Sequence, residues 1–387
     1  MAADEHALIL DAIAKWAAAE VRPRAMQHDH EDSYPHDLVE QMKELGLFGA
    51  TIDAEHGGLG LPASVYSGIV EEIARHWMAP TGIFNSHLIA ASCLQRTGTE
   101  EQKRRWLGRM ASGELRGGIA LTEPDAGTDL AGIRTHARRD GDEYVVNGGK
   151  TWITNSLHGN CLGLLVKTDP DAAPPRAGMS LLFVETRDAA GAPKPGLRIR
   201  KLEKLGYRAI DTCELAFEDF RVPAENLIGA EEGRGFYQTV GGLELGRINV
   251  AARGSGMARG ALDLAVRYAQ ERKTFGKPIA QHQAIQLKLG EMAARVEAAR
   301  LLVRSAAAAF DAGERCDMEA GIAKYFASEA AVFCAEEAMR IFGGYSYSKE
   351  YDIERYYRDA LLMCIGEGTN EMQRIIIARQ LIERNPA

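Results

Sequence analysis

The chain has 387 residues, of which 46% are hydrophobic and 26% are charged. This is ordinary globular composition, and it excludes a collagen-like, low-complexity or disordered chain. Lys and Arg number 46 against 54 Asp and Glu, which gives a formal net charge of −8. A mildly acidic chain has no general electrostatic reason to bind nucleic acid or an anionic membrane, so we expect neither partner. The length predicts two or three domains.

The six cysteines are scattered along the chain, and no two form a C-x-x-C pair. In a chain of this size, that pattern indicates a reduced, cytoplasmic protein. The one close histidine pair, His28 and His30, lies in a polar stretch, so we expect no metal site. No apolar run approaches the ~18 residues that a spanning helix needs, and we expect no secretory signal.

The first third of the chain reads as helical, with helices predicted over residues 5–20 and 36–45. Gly-rich turns at residues 57–60 and 117–118 interrupt this pattern. Seven of the thirteen prolines then fall between Pro124 and Pro223, which disfavours helices in the middle third.

The middle third reads as a small antiparallel sheet. Asp140-Gly141 and Asn147-Gly148 are hairpin-turn dipeptides that flank residues 143–146, so both are predicted as turns. The remaining β-rich runs are residues 151–154, 162–166, 179–185 and 213–220. The order lacks the βαβ alternation of a parallel sheet.

The last third is predicted to consist of long helices, because only Pro278 and Pro386 follow Pro223. One apolar stripe recurs at steps of three and four residues, and it comprises Ile285, Leu289, Met292, Val296, Ala299, Val303, Ala306 and Phe310. The glycines of residues 254–260 have the wrong spacing for a dinucleotide fingerprint, and no strand precedes them. We therefore interpret them as small residues that let helices approach closely.

Two segments near the middle could hold a flat ring. Residues 121–129 form a Pro- and Gly-rich loop with two threonines, which either presents N–H groups and hydroxyls to a ligand or caps neighbouring helices. In a strand, Trp152 and Thr154 face the same side, which suits a heteroaromatic ring but also ordinary core packing.

Two segments in the last third carry charge beside glycine. Residues 271–278, followed by His282 and Gln283, form a basic cluster that could bind a pyrophosphate or only end a helix. Glu367 lies between Gly366 and Gly368, where the bare backbone lets a substrate approach, although a solvated surface turn has the same pattern.

Together and in this order, these segments closely resemble the acyl-CoA dehydrogenase family of flavoenzymes over essentially the whole chain. The resemblance rests on residues 121–129, 152–154, 272–277, 342–344 and 366–369. It implies a mainly α fold with a central β domain: an N-terminal helical domain (1–117), a middle β-barrel or sandwich domain (118–232) and a C-terminal four-helix bundle (233–387). It also implies a homotetramer that binds FAD.

The resemblance further implies the site residues. Glu367 would be the catalytic base. The residues that would touch acyl-CoA are Thr128, Glu244, Arg247 and Gly368. The residues that would hold FAD are Ile119, Leu121, Thr122, Gly127, Thr128, Trp152, Ile153, Thr154, Arg272, Thr274, Phe275, His282, Gln283, Arg340, Gly343, Gly344, Thr369 and Glu371.

The implied reaction is α,β-dehydrogenation of an acyl-CoA to the trans-2-enoyl-CoA, with electrons passed to an electron-transferring flavoprotein. Such a base must work in a site that excludes water and stabilises the enolate oxygen. Some members carry the base immediately before the residue matching Arg247; Gly246 stands there in this chain, which favours Glu367. A flavin monooxygenase or oxidase on the same fold is the alternative. The resemblance implies a short- to medium-chain or branched acyl-CoA as the substrate. The particular acyl group stays open, because pocket depth depends on loops near residues 84–87 that the sequence does not place.

Overall fold

The computed structural model describes residues 3–241 and 243–386. Its N-terminal region is helical, as predicted. Tight 3₁₀ turns and a short π-helical segment join helices α1 (Ala3–Trp16), α2 (Arg22–Glu31), α3 (His36–Glu44), α4 (Ala63–Ala74), α5 (Ala79–Thr97) and α6 (Glu100–Ala111). Residues 84–87, expected near pocket loops, lie inside α5, and this helix is buried over most of its length.

A curled sheet follows the helices. Its strands are β1 (Gly117–Ala120), β2 (His136–Asp140), β3 (Glu143–Thr154), β4 (Cys161–Lys167), β5 (Met179–Glu185), β6 (Leu197–Lys201) and β7 (Thr212–Pro223). The strand order is β1-β4-β2-β3-β7-β6, and β5 pairs with β4. Most pairs are antiparallel as predicted, but β4 runs parallel to β1 and to the start of β2. Apolar side chains from most of the strands form a second core inside the curl.

The turn prediction at Asn147-Gly148 is wrong. Asp140-Gly141 does join β2 to β3, but β3 continues through Asn147 and Gly148, and its pairing with β7 shifts register between Val146 and Gly148. Gly148 has φ 137°, and a β-carbon there would lie 2.6 Å from the Thr135 Cα. Position 148 therefore requires glycine because of a β-bulge and a close contact between strands. An Asn-Gly pair occurs in such bulges as well as in hairpin turns, so the local sequence did not distinguish them.

The C-terminal region contains the predicted long helices. They are α7 (Gly235–Val240), α8 (Leu243–Glu271), α9 (Gln283–Asp311), α10 (Asp317–Phe342), α11 (Ile353–Ile365) and α12 (Asn370–Arg384). A two-stranded hairpin, β8 (Lys273–Thr274) and β9 (Lys277–Pro278), joins α8 to α9. The predicted apolar stripe lies on α9, where Met292, Val296, Ala299, Val303 and Ala306 are buried. The helix–sheet–helix order confirms the predicted architecture.

The glycines of α8 allow close helix packing, as interpreted from the sequence. A β-carbon at Gly254 would lie 2.7 Å from the Ala327 carbonyl oxygen of α10, and one at Gly260 would lie 2.1 Å from the Arg75 carbonyl oxygen that follows α4. Helix α8 is therefore held tightly between the N-terminal region and α10. None of the described helices combines the length and apolarity needed to cross a membrane.

Candidate active site

The turn between α11 and α12 carries Glu367. Glu367 has φ 53° and Gly368 has φ 87°, so two consecutive residues adopt the left-handed conformation. This conformation costs a non-glycine residue about 1–2 kcal/mol, so the surrounding structure must impose it. Thr369 closes the turn by accepting a hydrogen bond from the Met372 N–H as the N-cap of α12.

A buried lysine of α10 holds this turn. Lys324 has no exposed surface, and its Nζ donates to the Gly368 carbonyl oxygen at 2.8 Å and to the Asn370 Oδ1 at 2.9 Å. It also lies 3.4 Å from the Cys364 carbonyl oxygen. Burial lowers the pKa of Lys324 to about 8. The lysine thus joins the end of α11, the turn and the start of α12.

The Glu367 carboxyl group points at α5 and α8. Its Oε1 accepts a hydrogen bond of 2.8 Å from the Asn85 Nδ2 on α5. Its Oε2 is buried and has no hydrogen-bond partner among the described residues. A β-carbon at Gly246 of α8 would lie 2.6 Å from this oxygen. One carboxylate oxygen is therefore fixed and the other is left unbonded inside the protein.

A chain of buried polar groups orients Asn85. The Asn249 Nδ2 on α8 donates to the Tyr66 Oη at 2.8 Å, and this hydroxyl donates to the Asn85 Oδ1 at 3.2 Å. Tyr66, Asn85 and Asn249 are each at most 2% exposed. The orientation of Asn85 is thereby set, so that its amide donates to Glu367.

Burial raises the pKa of Glu367, because desolvation disfavours the carboxylate. The positive charge of Arg253, the Asn85 hydrogen bond and the charges of Lys324 and Arg247 act in the opposite direction. A carboxylate with a raised pKa is a stronger base than a solvated one. The geometry and the electrostatics of Glu367 are therefore those of a general base.

The predicted acyl-CoA residues differ in their surroundings. Arg247 is largely buried near Glu367, and its Nε has no hydrogen-bond partner among the described residues. Glu244 lies one turn earlier on α8 beside Asp317; burial and this second carboxyl group raise its pKa to about 7. Thr128 is exposed at the end of the 121–129 loop.

A buried ion pair holds the 121–129 loop against β3. The Lys150 Nζ lies 2.8 Å from the Glu123 Oε1 and also donates to the Leu121 carbonyl oxygen. The Glu123 carboxylate accepts from the backbone N–H groups of Arg134 and Thr135. The structure thus brings together the two segments predicted to hold a flat ring.

Trp152 lies at an irregularity in β3. Its φ is 61°, and the pairing with β7 shifts register between Lys150 and Ile153. The Trp152 side chain is 60% exposed although it is large and apolar, whereas Ile153 is buried. Trp152 thus presents an exposed aromatic face beside the polar 121–129 loop, on which a planar ligand could stack.

The polar loop and β1 carry the other residues predicted to hold the flat ring. Ile119, Leu121 and Thr122 are partly buried, and Gly127 is exposed with open space where a β-carbon would project. Asn155 anchors the end of β3 to the helical region, because its Nδ2 donates to the carbonyl oxygens of Ile83 on α5 and Gly117 on β1.

A cleft of about 560 Å³ contains four of the other residues predicted to hold FAD, namely Arg272, Thr274, Gly343 and Gly344. Tyr268 of α8 and residues of the α10–α11 connection, including Tyr345, also line it. The Thr274 hydroxyl lies 3.0 Å from the His282 Nε2. Phe275 is 96% exposed at the tip of the β8–β9 hairpin, and Gln283, the first residue of α9, is also exposed.

Three residues predicted to bind the cofactor lie neither beside Trp152 and the 121–129 loop nor in the cleft that Arg272 lines. Arg340 is exposed and pairs with Glu336 and Glu337 rather than lining the cleft. Thr369 caps α12, and Glu371 is exposed and pairs with Arg374 at 3.0 Å.

The sequence interpretation missed the residues around Glu367 that come from other helices. They are Tyr66, Asn85, Asn249, Arg253 and Lys324. The sequence did contain a signal for these residues, because they are polar residues within strongly apolar helical segments. Buried polar groups need defined partners, so such residues indicate a polar cluster inside the protein.

Comparisons with known proteins show which family the chain belongs to. Sequence profiles of the acyl-CoA dehydrogenase N-terminal, middle and C-terminal domains match residues 3–114, 118–220 and 233–382. The chain is 39% identical to (2S)-methylsuccinyl-CoA dehydrogenase of Cereibacter sphaeroides, over 98% of this chain and 70% of that protein. It is 40% identical to mitochondrial short-chain specific acyl-CoA dehydrogenase of Bos taurus, over 98% of this chain and 90% of that protein.

A solved structure shares the whole fold. The glutaryl-coenzyme A dehydrogenase glutaryl-CoA complex superposes with a TM-score of 0.93 at 36% identity, covering 100% of this chain and 97% of that one. Three consecutive domain profiles, relatives at about 40% identity and this superposition all indicate one family. The chain belongs to the acyl-CoA dehydrogenase family, whose members are FAD-dependent oxidoreductases.

Proposed function

We propose that this protein is an FAD-dependent acyl-CoA dehydrogenase in which Glu367 removes the α-proton of the substrate. One observation carries the proposal: the Glu367 carboxyl group is fixed by Asn85 through one oxygen and is buried but unbonded at the other. A carboxylate oxygen that is shielded from solvent and has no protein donor can accept a proton. The names of the relatives, which include several acyl-CoA enzymes, support an acyl-CoA substrate.

The chain itself would supply the base and part of the enolate stabilisation. Glu367 Oε2 would take the α-proton, and Asn85 would hold the carboxyl group in place during the transfer. The backbone N–H of Glu367 makes no hydrogen bond among the described residues and would donate to the thioester oxygen. A preorganised donor at the developing oxyanion is worth several kcal/mol of transition-state stabilisation.

The residues on the two ligand surfaces fit FAD. The exposed Trp152, Thr154 and the 121–129 loop form a face for the flat ring, and Gly127 leaves room for it. The cleft beside Arg272, Thr274, Gly343 and Gly344 offers a guanidinium and bare backbone to a diphosphate. FAD, when bound, supplies the acceptor for the hydride that leaves the β-carbon.

Arg247, Thr128, Glu244 and Gly368 would contact the acyl-CoA. The unpaired Arg247 Nε supports a role in ligand binding, since a buried donor without a partner is rare unless a ligand completes it. Electrons would leave through an electron-transferring flavoprotein.

We further propose a cytoplasmic homotetramer. The side chains of Phe275 and Tyr347 are 96% and 94% exposed, which supports contacts between subunits near the cleft. The six free cysteines support a reducing compartment.

An anaerobic titration tests the proposed function. The purified yellow protein is mixed with a series of acyl-CoA thioesters while flavin absorbance is followed, and we expect bleaching with enoyl-CoA formation. Glu367→Gln should keep FAD and bind acyl-CoA but lose reduction by several orders of magnitude, because an amide keeps the shape and cannot accept the proton. A variant that retains a tenth of the rate would place the base elsewhere.

Reoxidation separates a dehydrogenase from an oxidase. We expect slow reaction of the reduced, product-bound enzyme with air and fast turnover with an electron-transferring flavoprotein or an artificial dye. Stoichiometric hydrogen peroxide formed as fast as reduction would instead identify an oxidase.

A further inference from the structure

A second buried cation, Arg253, lies on α8 two helical turns beyond Gly246. Arg253 of α8 is only 4% exposed, and its Nε is sealed from solvent without a hydrogen-bond partner. No carboxylate among the described residues forms an ion pair with it. A buried guanidinium is costly unless an anion or hydrogen-bond acceptors complete it. The folded chain therefore leaves the Arg253 Nε without a hydrogen-bond acceptor among the described residues.

Helical geometry directs Arg253 toward the base. Gly246, Asn249 and Arg253 are spaced by three and four residues, so they share one face of α8. Gly246 touches the Glu367 carboxylate, and Asn249 anchors Tyr66. Arg253 lies about 10 Å further along the axis at 1.5 Å per residue. Long helical side chains lean toward the N-terminus, which brings the guanidinium back toward Glu367.

The electrostatics agree with this placement. Among the charged groups that act on Glu367, Arg253 has the largest effect, ahead of Lys324 and Arg247. The two side chains make no direct ion pair, and this order agrees with the placement that the helix geometry gives Arg253.

The surroundings of Arg253 are polar rather than hydrocarbon. The Tyr207 hydroxyl lies against the guanidinium, and Gly82 of α5 makes room for it, since a β-carbon there would lie 1.4 Å from that oxygen. An all-hydrocarbon acyl chain would leave the Arg253 Nε without an acceptor, whereas an anionic end group would accept from it.

We propose, on the basis of the proposed function, that Arg253 binds a carboxylate at the far end of a short acyl chain, so that the substrates are CoA thioesters of dicarboxylic acids. The α-carbon then lies at Glu367 and the second carboxylate at Arg253 and Tyr207. The substrate's own charge offsets that of Arg253, which otherwise stabilises the ionised form of Glu367 and weakens it as a base. A carboxylate-bearing substrate thus gains both binding and reactivity.

Matched substrate pairs test this inference on the unmodified holoenzyme. Succinyl-, glutaryl- and adipoyl-CoA are compared with butanoyl-, pentanoyl- and hexanoyl-CoA, each pair differing in a terminal carboxylate against a methyl group. Stopped-flow flavin reduction gives the rate and the apparent dissociation constant. We expect at least one dicarboxylic thioester to exceed its neutral partner about 100-fold in reduction efficiency. A neutral thioester that matches or exceeds its partner at every length overturns the inference and leaves the proposed function intact.

Substitution assigns the effect to Arg253. Arg253→Gln should lose about 100-fold for the dicarboxylic substrate. It should not slow the neutral one at a pH where Glu367 is ionised, because removing a charge that holds down the pKa of Glu367 leaves a stronger base. Arg253→Lys should recover part of the loss on the dicarboxylic substrate. Arg267→Gln, on the exposed side of the same helix, is the matched control and should change neither. Equal losses on both substrates in Arg253→Gln would show a structural role and contradict the inference. If none of the six thioesters reduces the flavin, the proposed function fails and the inference fails with it.

Discussion

Gly246 and Glu367 are in direct contact across the helix–turn boundary. A β-carbon at position 246 would lie 2.6 Å from the Glu367 Oε2, closer than real contacts allow. The glycine thus makes space for the carboxylate that approaches from the α11–α12 turn. A base at position 367 therefore fits because the facing position on α8, residue 246, carries no side chain.

Gly246→Ala should therefore separate activity from stability. The added methyl group displaces only the end of the flexible Glu367 side chain, while alanine favours the helix by roughly 1 kcal/mol. We expect an unchanged or slightly higher melting temperature and a flavin reduction rate lower by about 10–100-fold, because misplacement by about 1 Å has effects of this size. Thermal unfolding and stopped-flow reduction measure the two effects. A large loss of stability would mean that the backbone, rather than the carboxylate, moves.

Asn85→Leu should shift the pH dependence of reduction. The Asn85 hydrogen bond lowers the pKa of Glu367, so its loss raises that pKa, and the ionised base forms only at higher pH. A hydrogen bond to a charged group is worth about 1.5–3 kcal/mol, which corresponds to a shift of about 1–2 pH units in the acid limb of the rate profile.

Tyr66→Phe is the companion variant, because it removes the hydroxyl that orients Asn85 and keeps the direct contact with Glu367. We expect a shift of the same sign and smaller size. An unmoved acid limb in both variants would show that this limb does not report Glu367.

Lys324→Met should loosen the turn that carries the base. The substitution removes two charge-assisted hydrogen bonds, so that among the described residues the Gly368 carbonyl oxygen keeps only its donor from Gln373 and the Asn370 Oδ1 keeps only its donor from Ser328. We expect a loss of roughly 2 kcal/mol in the free energy of unfolding. Reduction should slow about 100-fold because Glu367 loses its fixed position. The exposed Lys15→Met is the control, with no expected change in either quantity. Wild-type reduction in the destabilised variant would restrict Lys324 to a role in folding.

Arg272→Ala should weaken FAD binding. Arg272 lines the cleft with Thr274 and stacks over the Tyr345 ring at 5.5 Å, where its guanidinium can bind a diphosphate. A charge-assisted contact of about 1.5–3 kcal/mol predicts a dissociation constant for FAD that is about 10–100-fold higher. Because bound FAD would stabilise the proposed tetramer, weaker binding should make the tetramer less stable. Light scattering should then show more dissociation into smaller species at low protein concentration. Full flavin content and an intact oligomer would contradict this assignment.

The sequence alone was sufficient for the fold, the family and the residue proposed as the base. Helical periodicity identified α9 before any coordinates, since a stripe such as Met292–Val296–Ala299 depends only on local spacing. The combination of residues 121–129, 152–154 and 366–369 pointed to a flavoenzyme because each segment is continuous in the chain. Local sequence misread Asn147-Gly148, where pairing with β7 and contact with Thr135 decided the conformation.

Only the tertiary structure assembled the groups that tune Glu367. Tyr66, Asn85, Asn249 and Lys324 belong to four different helices, and no spacing rule relates residues so far apart in sequence. Their roles arise from burial, because a polar group without water must find a partner wherever the fold brings one. The same reason makes Arg253 informative: its position on α8 follows from the sequence, but its buried Nε without a partner among the described residues appears only once the helices are packed around it.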